Sequence, residues 1–155
     1  MQRIVSRISA FIATLGPVGY LPMSGTMGTL CAVPLFILMR DYLAPLYFFN
    51  ERIFVALFLL AAVWIANRAL LVIHKQDPSE IVIDEVVGFF VLMMGEPFSV
   101  ATLVVGFLYF RFFDILKPFG IDRIESMDGG WGIVLDDVVA AVYARILLDI
   151  TFYFF

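Results

Sequence analysis

Apolar residues occupy this chain in five long blocks, separated by short clusters of glycine, proline and charge. The blocks are "MGTLCAVPLFILM" (27–39), "IFVALFLLAAVWIANRALLVI" (53–73), "IVIDEVVGFFVLMMG" (81–95), "FSVATLVVGFLYFRFF" (98–113) and "IVLDDVVAAVYARILLDITFYFF" (133–155). Their length and apolar character predict helices, and only 53–73 has ordinary membrane-spanning length. The third and fourth blocks would each make about 22 Å of helix against a hydrocarbon core of about 30 Å. Pro97, two residues after Gly95, disfavours one uninterrupted helix over 81–113. The pair reads as a helical hairpin turning at 95–97, or as a single broken element. Ahead of the blocks, "MQRIVSRISAFIATLGPVGYLP" has an apolar run broken by Arg7 and Ser9 and no clean cleavage site. It predicts an amphipathic helix lying at a membrane surface.

Composition says which solvent these helices need. Of 155 residues, 63% are hydrophobic and 15% charged, with a mean hydropathy of +1.00. A domain of this size leaves about a third of its surface exposed, too much for so apolar a chain to keep in water. The expected fold class is therefore all-α: an integral membrane helical bundle of four or five transmembrane helices with an N-terminal amphipathic helix. No repeat or linker divides it, so residues 1–155 are expected to form a single membrane-embedded domain. The lone Cys31 excludes an internal disulfide and any CxxC metal or redox site, and reads as a packing residue.

Lys and Arg set the orientation. With five spans and the N-terminus inside, Arg3, Arg7, Arg68, Lys75, Arg111, Lys117 and Arg123 lie inside, and only Arg40 and Arg52 outside. The same topology brings "LPMSGTMG", "DEVVG", "RFFDILKP" and "DGGWGIVLDD" to the cytoplasmic end of the bundle. Four polar clusters far apart in sequence then meet at one membrane face.

Those clusters hold the candidate chemistry. An ionisable residue at the centre of a span costs at least about 2.5–3.5 kcal/mol, so such residues usually face a site or one another. Asp84, Glu85, Arg111, Asp114, Asp136 and Asp137 all lie within or at the ends of apolar blocks. Asp84 precedes Gly88 by four residues, and Asp136 and Asp137 precede Ala140 and Ala141 by four. Small residues at that spacing let a neighbouring helix or a ligand approach the acids. Gly129, Gly130 and Gly132 make a loop that can approach a ligand or turn tightly. Five carboxylates in low dielectric must be protonated, paired with Arg111 and Lys117, or neutralised by a metal. Hard oxygen ligands without His or Cys select Mg²⁺, and cations beside such an ion make a phosphate site.

Other polar and sulfur-bearing residues have plainer explanations. Arg145 and Asp149, four apart, form a structural ion pair. Asn67 and Arg68 mark the end of a span. His74 is solvated beside Lys75. Met93, Met94 and "ITFYFF" contact lipid. No Cys-x5-Arg loop and no DxD-led soluble domain is present, and the one His stands apart from any Ser or Arg cluster, so three common phosphatase chemistries are excluded. A small ion or proton transporter, or a non-catalytic scaffold of paired acids, remains the alternative to an enzyme. A transporter needs polar groups spread through the membrane depth, whereas these gather at one end.

"LPMSGTMGTLCAVPL", "IVIDEVVGFF", "FRFFDILKPFGIDRIE" and "GGWGIVLDDVVAAVYA", in that order and spanning about residues 14–147, together resemble the phosphatidylglycerophosphatase A family. The resemblance implies a Mg²⁺-dependent phosphoric monoester hydrolase that removes the terminal phosphate of phosphatidylglycerophosphate, giving phosphatidylglycerol. It implies a multi-pass protein of the bacterial inner membrane with its site facing the cytoplasm, phospholipid as substrate and no nucleic-acid partner. The family's charged motif residues fall on Asp84, Glu85, Arg111, Asp114, Lys117, Asp136 and Asp137, and its Pro-Gly-Thr segment on Ser24, Gly25 and Thr26, followed by Gly28 and Thr29. Ser24 stands where proline is common, and Asp128 where some members carry His or Asn. The expected roles follow. Asp84, Glu85, Asp114, Asp136 and Asp137 hold metal and share acid/base work with Lys117. Arg111 and Lys117, with Gly25 and Thr26, bind phosphate.

Overall fold

A computed structural model describes residues 2–42, 51–74, 78–96 and 98–154. Among them there are only helices: α1 (Gln2–Ala13), α2 (Ser24–Tyr42), α3 (Glu51–Ile73), α4 (Ile83–Met93), α5 (Val100–Leu116), α6 (Ile121–Glu125) and α7 (Gly130–Phe154), with short 3₁₀ turns at Val18–Tyr20 and Pro118–Gly120. Each of the five apolar blocks corresponds to one helix. Lys75 and Pro97, which entered the topology reading, lie outside the described residues.

The short helix α4 is the axis of the molecule. It packs against α2, α3, α5 and α7, and every residue from Ile83 to Met93 except Val91 is buried. Apolar side chains all round make this possible. Phe90 meets Phe36 of α2 at 5.5 Å and Phe58 of α3 at 5.4 Å between ring centroids, both edge to face. Gly88 lets α5 and α7 close on the axis: a Cβ there would lie 2.7 Å from the Phe110 ring and 3.2 Å from the Asp137 carbonyl oxygen. The expected small-residue contact beside Asp84 is therefore made by helices.

The third and fourth blocks form two helices, α4 and α5, with Gly95 at φ +74° in the turn between them. Ser99 starts α5 through a capping box: its Oγ accepts from the Thr102 amide while Thr102 Oγ1 accepts from the Ser99 amide, both at 3.0 Å. Among the described residues, α3 is the one helix long and apolar enough to cross a membrane. Helix α1 turns Ser6, Ser9 and Ala13 inward against α3, leaving Ile4, Ile8, Phe11 and Ile12 exposed.

Two plain readings of the sequence are corrected. Met93 does not face outward; it is 1% exposed and belongs to the core with Phe89, Phe110 and Leu148. Asn67 does not end a helix, because α3 continues to Ile73. Its side chain instead reaches α7: Oδ1 accepts from the Gly130 amide at 2.9 Å while Nδ2 donates to the Val63 carbonyl at 2.9 Å. A Cβ on Gly130 would lie 3.0 Å from the Asn67 backbone nitrogen, so this glycine serves helix–helix approach. The tight-turn reading holds at Gly129, with φ +71°. Arg145 does pair with Asp149, Nε to Oδ1 at 2.9 Å.

Candidate active site

Helix ends build the site. Asp84 and Glu85 occupy the first turn of α4, where exposed amides and the helix dipole favour negative charge. The Glu85 amide donates to Asp84 Oδ1 at 3.1 Å. Arg111 and Asp114 lie in the last two turns of α5, where the dipole favours cations. Lys117 caps that helix in the left-handed region at φ 44°, ψ 46°, its amide donating to the Phe113 carbonyl at 2.9 Å. Pro118 then prevents the helix from continuing. Asp136 and Asp137 come from the second and third turns of α7, both buried.

These elements close around a cavity of about 280 Å³. Gly25, Asp84, Glu85, Arg111, Asp114, Lys117, Asp136 and Asp137 all line it. Of the residues singled out from sequence, Thr26 is not part of the lining, whereas its neighbours Ser24 and Gly25 are. Ser24 Oγ donates to the Ser79 carbonyl at 2.5 Å, and Thr29 Oγ1 donates to the Gly25 carbonyl at 2.9 Å. Gly25 has no room for a side chain: a Cβ would meet the Glu85 carboxylate and lie 3.0 Å from Arg111 Nη2.

The seven charged residues sort into two groups. Arg111 forms an ion pair with Asp114 and lies 4.0 Å from Glu85. Lys117 Nζ sits 2.8 Å from Asp136 Oδ2 and 2.7 Å from Glu125 Oε1. Burial works against the ammonium charge of Lys117, but its hydrogen bonds to Asp136 and Glu125 prevail and hold its pKa above the usual lysine value. Asp84, Glu85 and Asp137 form the second group: each offers a carboxylate oxygen, and the three oxygens lie within 4.8 Å of one another. At that spacing three acids repel strongly unless a cation or protons intervene.

The residues fit a hard divalent cation. The donors are all carboxylate oxygens, the ligand type that hard cations take. Glu85 Oε2 and Asp136 Oδ1 are buried without a hydrogen-bond partner, a costly state that a ligand on the cavity would relieve. Arg111 Nε is likewise buried and unbonded, a donor left for an anion. Sequence reasoning assigned Glu125 no role, although it lies within hydrogen-bond reach of Lys117. The short helix α6, following the Lys-Pro break, brings Glu125 back toward the end of α5.

Known proteins resemble this chain over most of its length. The phosphatidylglycerophosphatase A family matches residues 11–152. A Bacteroides thetaiotaomicron protein named as a candidate phosphatidylinositol-3-phosphatase is 35% identical over 138 residues, 85% of this chain and 86% of its own length. A phosphatidylglycerophosphatase A of Haemophilus influenzae is 36% identical, covering 82% of this chain and 77% of its own. That of Escherichia coli is 32% identical, covering 80% and 71%. No solved structure matches the chain significantly. With a match over nearly its whole length, the chain belongs to the phosphatidylglycerophosphatase A family of phosphoric monoester hydrolases.

Proposed function

We propose that this protein is a Mg²⁺-dependent phosphatidylglycerophosphate phosphatase, hydrolysing the terminal phosphate monoester to leave phosphatidylglycerol for anionic phospholipid and cardiolipin synthesis. It acts as one domain, multi-pass in a bacterial inner membrane, with its cavity facing the cytoplasm. The observation that carries the reading is one cavity lined by three convergent carboxylates and two cations. Membrane placement is supported by the apolar side chains exposed along the bundle, among them Leu57, Leu60 and Trp64 of α3 and Val104, Leu108 and Phe112 of α5.

Asp84, Glu85 and Asp137 would hold Mg²⁺, which supplies Lewis-acid stabilisation of phosphoryl charge. Arg111 and Lys117 bind the phosphate oxygens, and their charge opposes the charge that grows on those oxygens in the transition state. The amides at the start of α2, around Ser24 and Gly25, add donors that favour an anion; Thr26 contributes through its place in that first turn. Asp114 and Asp136 orient the two cations through their ion pairs and take part in proton exchange. The acyl chains stay among the apolar helices, so the headgroup alone enters the cavity.

The test is phosphate release from phosphatidylglycerophosphate in detergent micelles, with Mg²⁺ or EDTA, comparing wild type with a folded Asp114→Asn variant. Metal-dependent release that the variant lacks is the expected result. Phosphatidylinositol-3-phosphate, which presents the same kind of monoester, is the control substrate; faster release from it would move the substrate assignment. No release from either lipid with any divalent metal would overturn the phosphatase reading, and the same acids would next be assayed for cation transport in liposomes.

A further inference from the structure

A second cavity, of about 480 Å³, shares no lining residue with the acidic one. It opens between α1 and the end of α3. Arg3, Ser6 and Arg7 line one wall, and Leu71, Val72 and His74 line the other. Arg3 and Arg7 lie one turn apart on α1, and both residues line this space. Among the described residues, no carboxylate lines it and neither arginine forms an ion pair with an acid. The charge that the described residues give its lining is therefore positive, the opposite of the acidic cavity.

The surroundings select among anions. Leu71 is 58% exposed at the rim, and Val72 beside it is also exposed, while Ile4 and Ile8 of α1 stand bare close by. A free phosphate would satisfy the guanidiniums and leave this apolar rim in water. A molecule with a phosphate head and an acyl tail satisfies both. We propose that the groove between α1 and the end of α3 binds the headgroup of an anionic phospholipid, separately from the acidic cavity. Two arginines one turn apart hold the phosphate, and the tail runs along Leu71 and Val72. At its other end α1 is tied to the acidic cavity, since the Val82 amide, just before α4, donates to the Ala13 carbonyl at 2.8 Å. The proposal rests on the membrane placement of α1 and not on the reaction.

Native mass spectrometry of the full chain in detergent tests it without turnover. The probes are phosphatidylserine, which is neither substrate nor product of the proposed reaction, phosphatidylcholine and inorganic phosphate. Wild type is expected to retain phosphatidylserine. An Arg3→Gln/Arg7→Gln variant, checked for native helicity, should retain it about tenfold or more weakly, since each cation near a lipid surface contributes on the order of 1 kcal/mol. Each single variant should fall between, which keeps the test open if the double variant does not fold. Equal retention by the variants, or equal retention of phosphatidylcholine, would overturn the proposal. Retention of inorganic phosphate alone, lost in the variants, would make this a phosphate site and also overturn it. Phosphate release by the double variant in zwitterionic micelles should match wild type, so a failed phosphatase reading leaves the lipid result standing.

Discussion

Lys117 Nζ stands 2.8 Å from Asp136 Oδ2, and the other oxygen of that carboxylate is buried without a hydrogen-bond partner. The pair joins the end of α5 to α7, and Glu125, at 2.7 Å, completes the bridge from α6. Lys117 thus has a structural role and, in the proposed reaction, a phosphate-binding one. The two can be separated.

Replacing Lys117 by Met keeps the stem and removes the charge. Asp136 and Glu125 then lose their shared donor, and stability should fall by about 1–3 kcal/mol. The rate should suffer more: losing one charged donor to the transition state lowers kcat by about 10²–10³-fold. Thermal unfolding and phosphate release measured on the same preparation separate the effects. A rate drop no larger than tenfold in folded protein would leave Lys117 with the structural role alone.

Lys117 also bears on pH. Its pKa is raised in the folded state, so its contribution to stability is fully present below the unfolded lysine value of about 10.4 and is lost only as pH rises through the higher folded value. Between pH 6 and about 10, its charge should not change. An alkaline fall in rate within that window should therefore persist in Lys117→Arg at the same pH. A shift of that fall in the arginine variant would assign the titration to Lys117.

Metal removal should act chiefly through Asp84, Glu85 and Asp137. Mg²⁺ at 100 times its dissociation constant should stabilise the wild type by about 2.7 kcal/mol. Asp137→Asn should reduce that gain and, in EDTA, melt higher than wild type, because one of three mutually repelling carboxylates is gone. Melting curves with and without Mg²⁺ check both signs. A variant that melts lower than wild type in EDTA would mean the three acids are held by protons or hydrogen bonds and do not need a cation.

The charged site residues were legible because charge inside an apolar block is rare: Asp84, Glu85, Arg111, Asp136 and Asp137 each interrupt runs of Val, Ile and Phe. Gly95 and Pro97 likewise announced the break between α4 and α5. Which acid would serve which cation was not legible. Arg111 takes Asp114 at three-residue spacing, but Lys117 takes Asp136, nineteen residues away, and only the packing of α5 on α7 decides that. Met93 was misread for a related reason. Composition says that a helix is apolar all round; it does not distinguish the enclosed α4 from α3, whose Leu57, Leu60 and Trp64 are exposed. Glu125 and Asn67 lay outside the pattern because one polar residue near a helix end, or within a helix, has many ordinary explanations.

Asn67 offers a test of how α7 is positioned. Its Oδ1 accepts from the Gly130 amide, a donor at the start of α7 that the helix itself cannot satisfy. Asn67→Ala should lose about 0.5–2 kcal/mol, as for a helix cap. Asn67→Asp keeps the acceptor and adds negative charge at a helix N-terminus, so it should recover most of the loss. Thermal melts of the two variants decide this; equal destabilisation would show that the bond from Nδ2 to Val63, which aspartate cannot donate, is the one that matters.

Arg145 supplies the control at the other end of the bundle. Its guanidinium is fully engaged: Nη2 lies 2.7 Å from Glu96, Nε lies 2.9 Å from Asp149, and Nη1 donates to the Leu92 carbonyl at 3.1 Å and to that of Met94. One side chain thereby caps the end of α4 and ties the α4–α5 turn to α7. Because Arg145 is only partly exposed and shares donors with backbone carbonyls, Arg145→Met should cost about 2–4 kcal/mol, at the lower side of buried-pair removal. Nothing in this network touches the acidic cavity. Phosphate release per folded molecule at low temperature should therefore stay within about twofold of wild type, since effects at well-separated sites are largely independent. A large fall in kcat with the fold intact would mean that the α4–α5 turn positions Asp84 and Arg111 through the two helices it joins.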